Sequence, residues 1–228
     1  MRKKILVRGP LLSRSGYGEQ ARFALSCLQS REDLFDIHMI SVGWGQTGNT
    51  IAETRAARWI KATLQRTHLY MQQGGTFDIS LQITIPNEFE KIAPVNIGYT
   101  AGIEANKIAP EWIQKINEVM DRVIVISNHG KKGIETTKYD VKDQAGNAIP
   151  NWGVQVPIET VNYCVRGVEA EPSPIDIEFT TENNFLVTSQ WGPRKNIENT
   201  IRWFVNEFRD DDSVGLVLKA NIAADSTV

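Results

Sequence analysis

Lys4-Ile5-Leu6-Val7-Arg8, followed by Gly9-Pro10-Leu11-Leu12-Ser13-Arg14-Ser15-Gly16-Tyr17-Gly18, is the stretch on which the fold reading turns. Ile5, Leu6 and Val7 run without a polar interruption, as in a strand covered on both faces of a parallel sheet. The glycine-bearing loop after them leads into Tyr17, Ala21, Ala24, Leu25 and Leu28, which recur at helical spacing. The same syntax repeats outward. A second strand is expected over Phe35 to Val42, then a glycine-rich loop from Gly43 to Gly48. Thr50-Ile51-Ala52-Glu53 has the capping-box pattern and predicts a helix reaching Gln73, stopped by Gly74-Gly75. Strands follow over Phe77 to Ile83 and Val95 to Thr100. Pro110 suits a first helical turn, with Trp112, Ile113, Ile116, Val119 and Met120 on one face. Val123 to Ile126 is a fifth strand, and Ser127-Asn128 can cap the helix after it. Strands alternating with helices predict an α/β fold with a parallel sheet of the Rossmann type, whose ligand sites lie at the carboxyl ends of the strands.

The alternation breaks at Tyr139. From there to Cys164 no helical period is found, and Ala145-Gly146-Asn147 marks a turn between two extended segments. A β-hairpin is expected, leading to a strand from Thr160 to Val165. Gly167 to Asn183 is acidic, carries Pro172 and Pro174, and reads as a linker. A fresh unit starts beyond it: a strand over Phe185 to Thr188, a helix stripe of Ile197, Ile201, Phe204, Val205 and Phe208, and a strand over Val214 to Leu218. The expected organisation is an N-terminal domain over 1–170, a linker over 171–183 and the opening strand–helix–strand of a second Rossmann-like domain over 184–228. A unit of that size buries little surface. The sequence therefore reads as a truncated two-domain protein, or as one whose second sheet is completed by another polypeptide.

The chain has 228 residues, and Lys plus Arg (25) against Asp plus Glu (27) leaves a net charge of −2, which argues against a nucleic-acid partner held by bulk positive charge. Hydrophobic residues at 41% and charged residues at 23% fit a globular chain. There is neither an apolar run long enough for a membrane span nor a signal-peptide core, so a cytoplasmic location is expected. Cys27 and Cys164 cannot alone make a disulfide framework or a zinc site, and both positions read as small buried hydrophobes.

Four constellations can carry chemistry. Gly16, Tyr17 and Gly18 open the first helix, where free amides and the helix dipole favour an anion such as phosphate. The spacing is neither the dinucleotide fingerprint nor a P-loop. Glu104 follows the fourth strand, where a carboxylate could orient a hydroxyl or take up a proton. Ser127 and Asn128 end the fifth strand and offer polar contacts to a substrate; the neighbouring His129 reads more readily as a surface residue than as an acid or base. Arg194 and Lys195 precede the last helix, and two cations beside a positive dipole end make sense if an anion sits there.

In order and spacing these segments resemble the GT-B-fold retaining glycosyltransferases of the glycogen-synthase-like family. Gly9 to Gly18 is similar to that family's first glycine-rich loop. Tyr99-Thr100, Glu104, Pro110, Trp112, Asp121 and the strand ending at Ser127 are similar to a pattern of its N-terminal domain. Phe185 to Asn196 looks like the strand and basic turn that open its nucleotide-binding domain. The resemblance implies transfer of a sugar from a nucleotide-sugar donor to a glycan or lipid-linked acceptor, the latter with peripheral membrane contact. It implies no metal and no cofactor beyond the donor substrate. Gly16, Tyr17, Gly18, Arg194 and Lys195 would hold the donor diphosphate, Glu104 would be catalytic, and Ser127 and Asn128 would bind substrate. The family's paired-glutamate motif lies later in the second domain and is absent here, so this chain alone is expected to be inactive or partner-dependent. The alternatives are a non-catalytic glycan-binding or assembly module and, further off, a nucleotide-cofactor oxidoreductase with Asp36 as the ribose-binding acid. Oligomeric state is left open.

Overall fold

The computed structural model describes residues 2–45, 47–48, 54–101, 103–142, 144–165 and 177–221. The chain divides into two compact units, Met1–Trp44 with Asn49–Val165 and Gly45–Gly48 with Arg166–Val228.

The first unit is built on a six-stranded, all-parallel sheet of order β2-β1-β3-β4-β5-β8. Its strands are β1 (Lys3–Gly9), β2 (Phe35–Ser41), β3 (Ile79–Gln82), β4 (Val95–Thr100), β5 (Arg122–Val125) and β8 (Ile158–Thr160). The helices are α1 (Gly16–Gln29), α2 (Arg55–Gln72), α3 (Pro110–Val119) and α4 (Asn128–Thr136). This is a Rossmann-like α/β domain, and strand order reverses between β1 and β3, where such sheets open a crevice. Alternation along the strands divides the core into two layers. Ile5, Val7, Ile37, Met39, Leu81 and Tyr99 pack with Ala21 and Leu25 of α1. Val123 and Val125 face the other way and pack with Ile113 and Ile116 of α3 and Ile134 of α4. Helix α2 lies along edge strand β2, where the Thr67 hydroxyl accepts from the Met39 amide at 2.9 Å.

Between β3 and β4 the chain makes only a short 3-10 turn, Pro86–Glu88, and side chains take over the hydrogen bonding. The fully buried Asn96 accepts from the amides of Ile92 (2.9 Å) and Ala93 (3.0 Å) and from the Ser80 hydroxyl (2.8 Å), and donates to the Ala93 carbonyl (2.6 Å). Gln82 binds both the amide and the carbonyl of Glu90. Buried polar groups with full sets of partners hold a loop in one conformation.

The hairpin forms as the turn chemistry predicts, with β6 (Tyr139–Lys142) antiparallel to β7 (Ala148–Trp152) and Gly146 at φ 87°. The strand after it differs. It runs over Ile158–Thr160 rather than Thr160 to Val165. Its partner β5 ends at Val125, whose carbonyl accepts from the Val161 amide at 2.8 Å, and the alternating apolar residues beyond have no strand to pair with. Thr54 caps α2 by accepting from the Ala57 amide; Thr50 to Glu53, the expected capping box, lie outside the described residues.

The second unit contains β9 (Asn183–Gln190), α5 (Ile197–Phe208) and β10 (Val214–Asn221), with the two strands parallel. Phe185, Phe204 and Phe208 cluster with ring centroids 5.1–5.9 Å apart. Residues 171–176 of the expected linker lie outside the described residues, and Asn183, its last residue, already belongs to β9.

Candidate functional site at the carboxyl edge of the sheet

Gly16, Tyr17 and Gly18 start α1 just beyond the carboxyl end of β1, and Ser15 caps the helix by accepting from the Gly18 amide at 3.1 Å. Arg22, one turn later, donates to the carbonyls of Leu11 (3.0 Å) and Ser13 (2.9 Å) and pairs with Glu19 at 2.6 Å, so it fastens the loop to the helix. A Cβ at Gly18 would meet the Ser13 carbonyl oxygen at 2.2 Å, whereas one at Gly16 would meet nothing within 4 Å. Gly18 is thus required by the loop's own packing. Gly16 is exposed and open to a ligand.

Tyr17 links this loop to the next strand end. Its hydroxyl donates to the Ala101 carbonyl (2.9 Å) and receives the Ala101 amide (2.9 Å), with the Thr100 hydroxyl at 3.0 Å. A phenol has one proton, so Thr100 must be the donor in the third bond. Burial pushes the Tyr17 phenol above its ordinary pKa. The Trp44 ring lies against Tyr17, with centroids 4.3 Å apart.

A cavity of about 290 Å³ opens beside this network, lined by Thr100, Ala101, Ile103, Glu104, Ser127 and Tyr163, among others. Ser127 caps α4 by accepting from the Gly130 amide at 3.1 Å. Glu104 is exposed and lines the cavity, while Asn128 and His129 are exposed in the first turn of α4. Glu104 and Ser127, named from sequence, therefore share one cavity, and Gly16 and Tyr17 reach its wall through the Tyr17 hydroxyl. Trp44, Tyr163 and Arg22 were not singled out by sequence. Only the strand-end position of Trp44, in the loop after β2, could have signalled it.

In the second unit Arg194 and Lys195 are exposed in a 3-10 turn, Pro193–Lys195, that ends before α5 begins. The junction is Asn196, in the left-handed region at φ 52°, which gives α5 no side-chain cap. The first turn of α5 carries Glu198, and a cavity of about 330 Å³ there is lined by Trp191, Gly192, Asn196 and Asn199 among others.

Asp36 is the second residue of β2, at the amino edge of the sheet, and lies 3.3 Å from Arg66. A ribose-binding acid belongs at the opposite edge, so the oxidoreductase alternative loses its acid. The cysteines are a second correction. Cys27 and Cys164 are both exposed rather than buried, with Cys27 near the end of α1 and Cys164 past the end of β8. Among the described residues no group of three or more His, Cys, Asp and Glu side chains is placed to hold a metal, and no helix is long and apolar enough to cross a membrane. Protein-family models, curated proteins and solved structures give no match to this chain.

Proposed function

We propose that the chain is the acceptor-side domain, with the opening strand–helix–strand of the nucleotide-binding domain, of a GT-B retaining glycosyltransferase. In this reading a sugar passes from a nucleotide-sugar donor to a glycan or lipid-linked acceptor. The observation that carries it is that Glu104 and Ser127, from two separate sequence segments, line one cavity at the carboxyl edge of the sheet, whose wall residue Ala101 is bonded by the Tyr17 hydroxyl from the first helix start. Ser127 and Asn128 offer hydroxyl and amide groups to a sugar, and Glu104 offers a carboxylate to an acceptor hydroxyl. The helix start at Gly16, with free space beside it, and separately the exposed cations Arg194 and Lys195 are each suited to an anion such as a phosphate group. Such donors stabilise a leaving diphosphate electrostatically.

The test is a titration of isotope-labelled protein with nucleoside diphosphates, nucleotide sugars and free oligosaccharides. Amide shifts at Gly16, Ile103, Ser127 and Lys195, with affinity falling about tenfold in Lys195→Ala, are the expected result, since one charge-assisted contact contributes about 1.5–3 kcal/mol. Absence of shifts at that edge with every sugar ligand would overturn the reading. One observation favours a non-catalytic glycan-binding module instead: the Gly18 amide is already taken by Ser15, which narrows the anion cradle. Oligosaccharide binding with no response to any nucleotide would select that module.

A further inference from the structure

The only two cysteines of the chain, Cys27 on α1 and Cys164 after β8, are distant in sequence and meet in space. Both line one apolar groove of about 160 Å³, together with Phe23, Leu28, Tyr99 and Val161. The Cys27 thiol lies within hydrogen-bonding reach of Cys164. Both side chains are accessible to solvent and so to a redox partner. The backbone there is tied down on one side, because the Tyr99 hydroxyl donates to the Val161 carbonyl at 3.2 Å and the Val161 amide is held by Val125.

We propose that Cys27 and Cys164 form a reversible redox disulfide that staples the segment after β8 to α1. Glutathione disulfide, or another small disulfide, serves as oxidant. One protein thiolate attacks a glutathione sulfur, forming a mixed disulfide and releasing one glutathione thiolate. The second protein thiol then attacks the protein sulfur of that mixed disulfide and expels the second glutathione. The two S–H protons leave with the two glutathione thiols, and the electron pair goes from the cysteine pair to the oxidant. The bridge closes a long loop, which restricts the unfolded chain more than a short one does. It also fixes Tyr163, the neighbour of Cys164, which lines the cavity beside Ser127. The pair thus couples redox state to the carboxyl edge of the sheet, whatever that edge binds. The apolar surroundings slow the chemistry, since burial pushes the Cys27 thiol above its ordinary pKa.

The full chain is equilibrated in glutathione redox buffers, then read by intact mass, thiol alkylation, non-reducing electrophoresis and thermal melting. The expected product is a monomer that has lost two hydrogens, resists alkylation, reverts with dithiothreitol and melts about 5 °C or more higher. Cys27→Ser and Cys164→Ser should each take up one glutathione at the remaining thiol and show no such rise. Both positions are exposed, so these variants keep the fold, which circular dichroism checks. A wild-type chain that carries glutathione on both thiols, remains fully alkylated or crosslinks into dimers would overturn the proposal.

Discussion

The β1–α1–β2 segment of the first unit and the β9–α5–β10 segment of the second are the same motif in two settings. Both pair their strands in parallel, over seven positions in one and eight in the other. Their surroundings differ. Leu6 and Val7 of β1 are 0% exposed, whereas Phe185 and Leu186 of β9 are 52% and 67% exposed. Among the described residues of the second unit Ile197 alone is buried. Hydrogen-bonded ladders and an amphipathic helix can therefore form locally, while burial depends on neighbours such as β3 and α2. Stability should be concentrated in the first unit, and four measurements probe that.

The largest effect is expected for Ile116→Ala, which opens a cavity beneath β5 and should cost about 2–5 kcal/mol in chemical denaturation. Phe204→Ala, in the half-buried trio of the second unit, should leave the main transition unchanged within about 0.5 kcal/mol. Equal losses would mean that the two units unfold as one. Asn96→Ala comes next, with an expected loss of about 2–3 kcal/mol because two amides and a hydroxyl lose their buried acceptor.

A third measurement uses pH. His38 is 3% exposed, packed on Tyr70 and Phe77, with Asp36, Arg66 and Lys4 the charged groups around it. Burial outweighs Asp36, 3.5 Å away, and holds the imidazole below its ordinary pKa of 6.5. A depressed folded value means that the unfolded chain binds the proton more readily. The contribution is therefore complete above 6.5 and is lost as pH falls from there toward the folded value. The slope cannot exceed about 1.4 kcal/mol per pH unit. His38→Phe should flatten the melting temperature between about pH 5 and 7 relative to wild type. An unchanged slope would place the titration elsewhere.

The smallest effect has the opposite sign. Gln20 is 1% exposed and its amide nitrogen and oxygen have no hydrogen-bond partner among the described residues. Gln20→Met keeps the shape and removes the unsatisfied polar atoms, so a gain of about 1 kcal/mol is expected in the same denaturation assay.

The strands of the sheet were legible in the sequence because Ile5 to Val7 and Val123 to Val125 are uninterrupted apolar runs that only a doubly covered strand accommodates. Ser127 was legible as a cap from its place between strand and helix. The run past Thr160 misled, since apolar alternation states what a strand could be and not whether a neighbour extends far enough to pair with it. The cavity itself was not legible. It depends on the Tyr17 hydroxyl finding Thr100 and Ala101, which lie far from it in sequence. The cysteine pair escaped for the same reason: nothing local to either residue points to the other.

The bonding of the Tyr17 hydroxyl has a practical consequence. A strand terminus usually presents one spare amide and one spare carbonyl to whatever docks there. At Ala101 a single aromatic alcohol occupies both. Any molecule entering the hollow must be selected by Glu104, Ser127 and the walls of Ile103 and Tyr163 rather than by peptide groups of that residue. Tyr17→Phe would hand those two peptide groups back, converting a side-chain-read recess into one that also reads through its main chain.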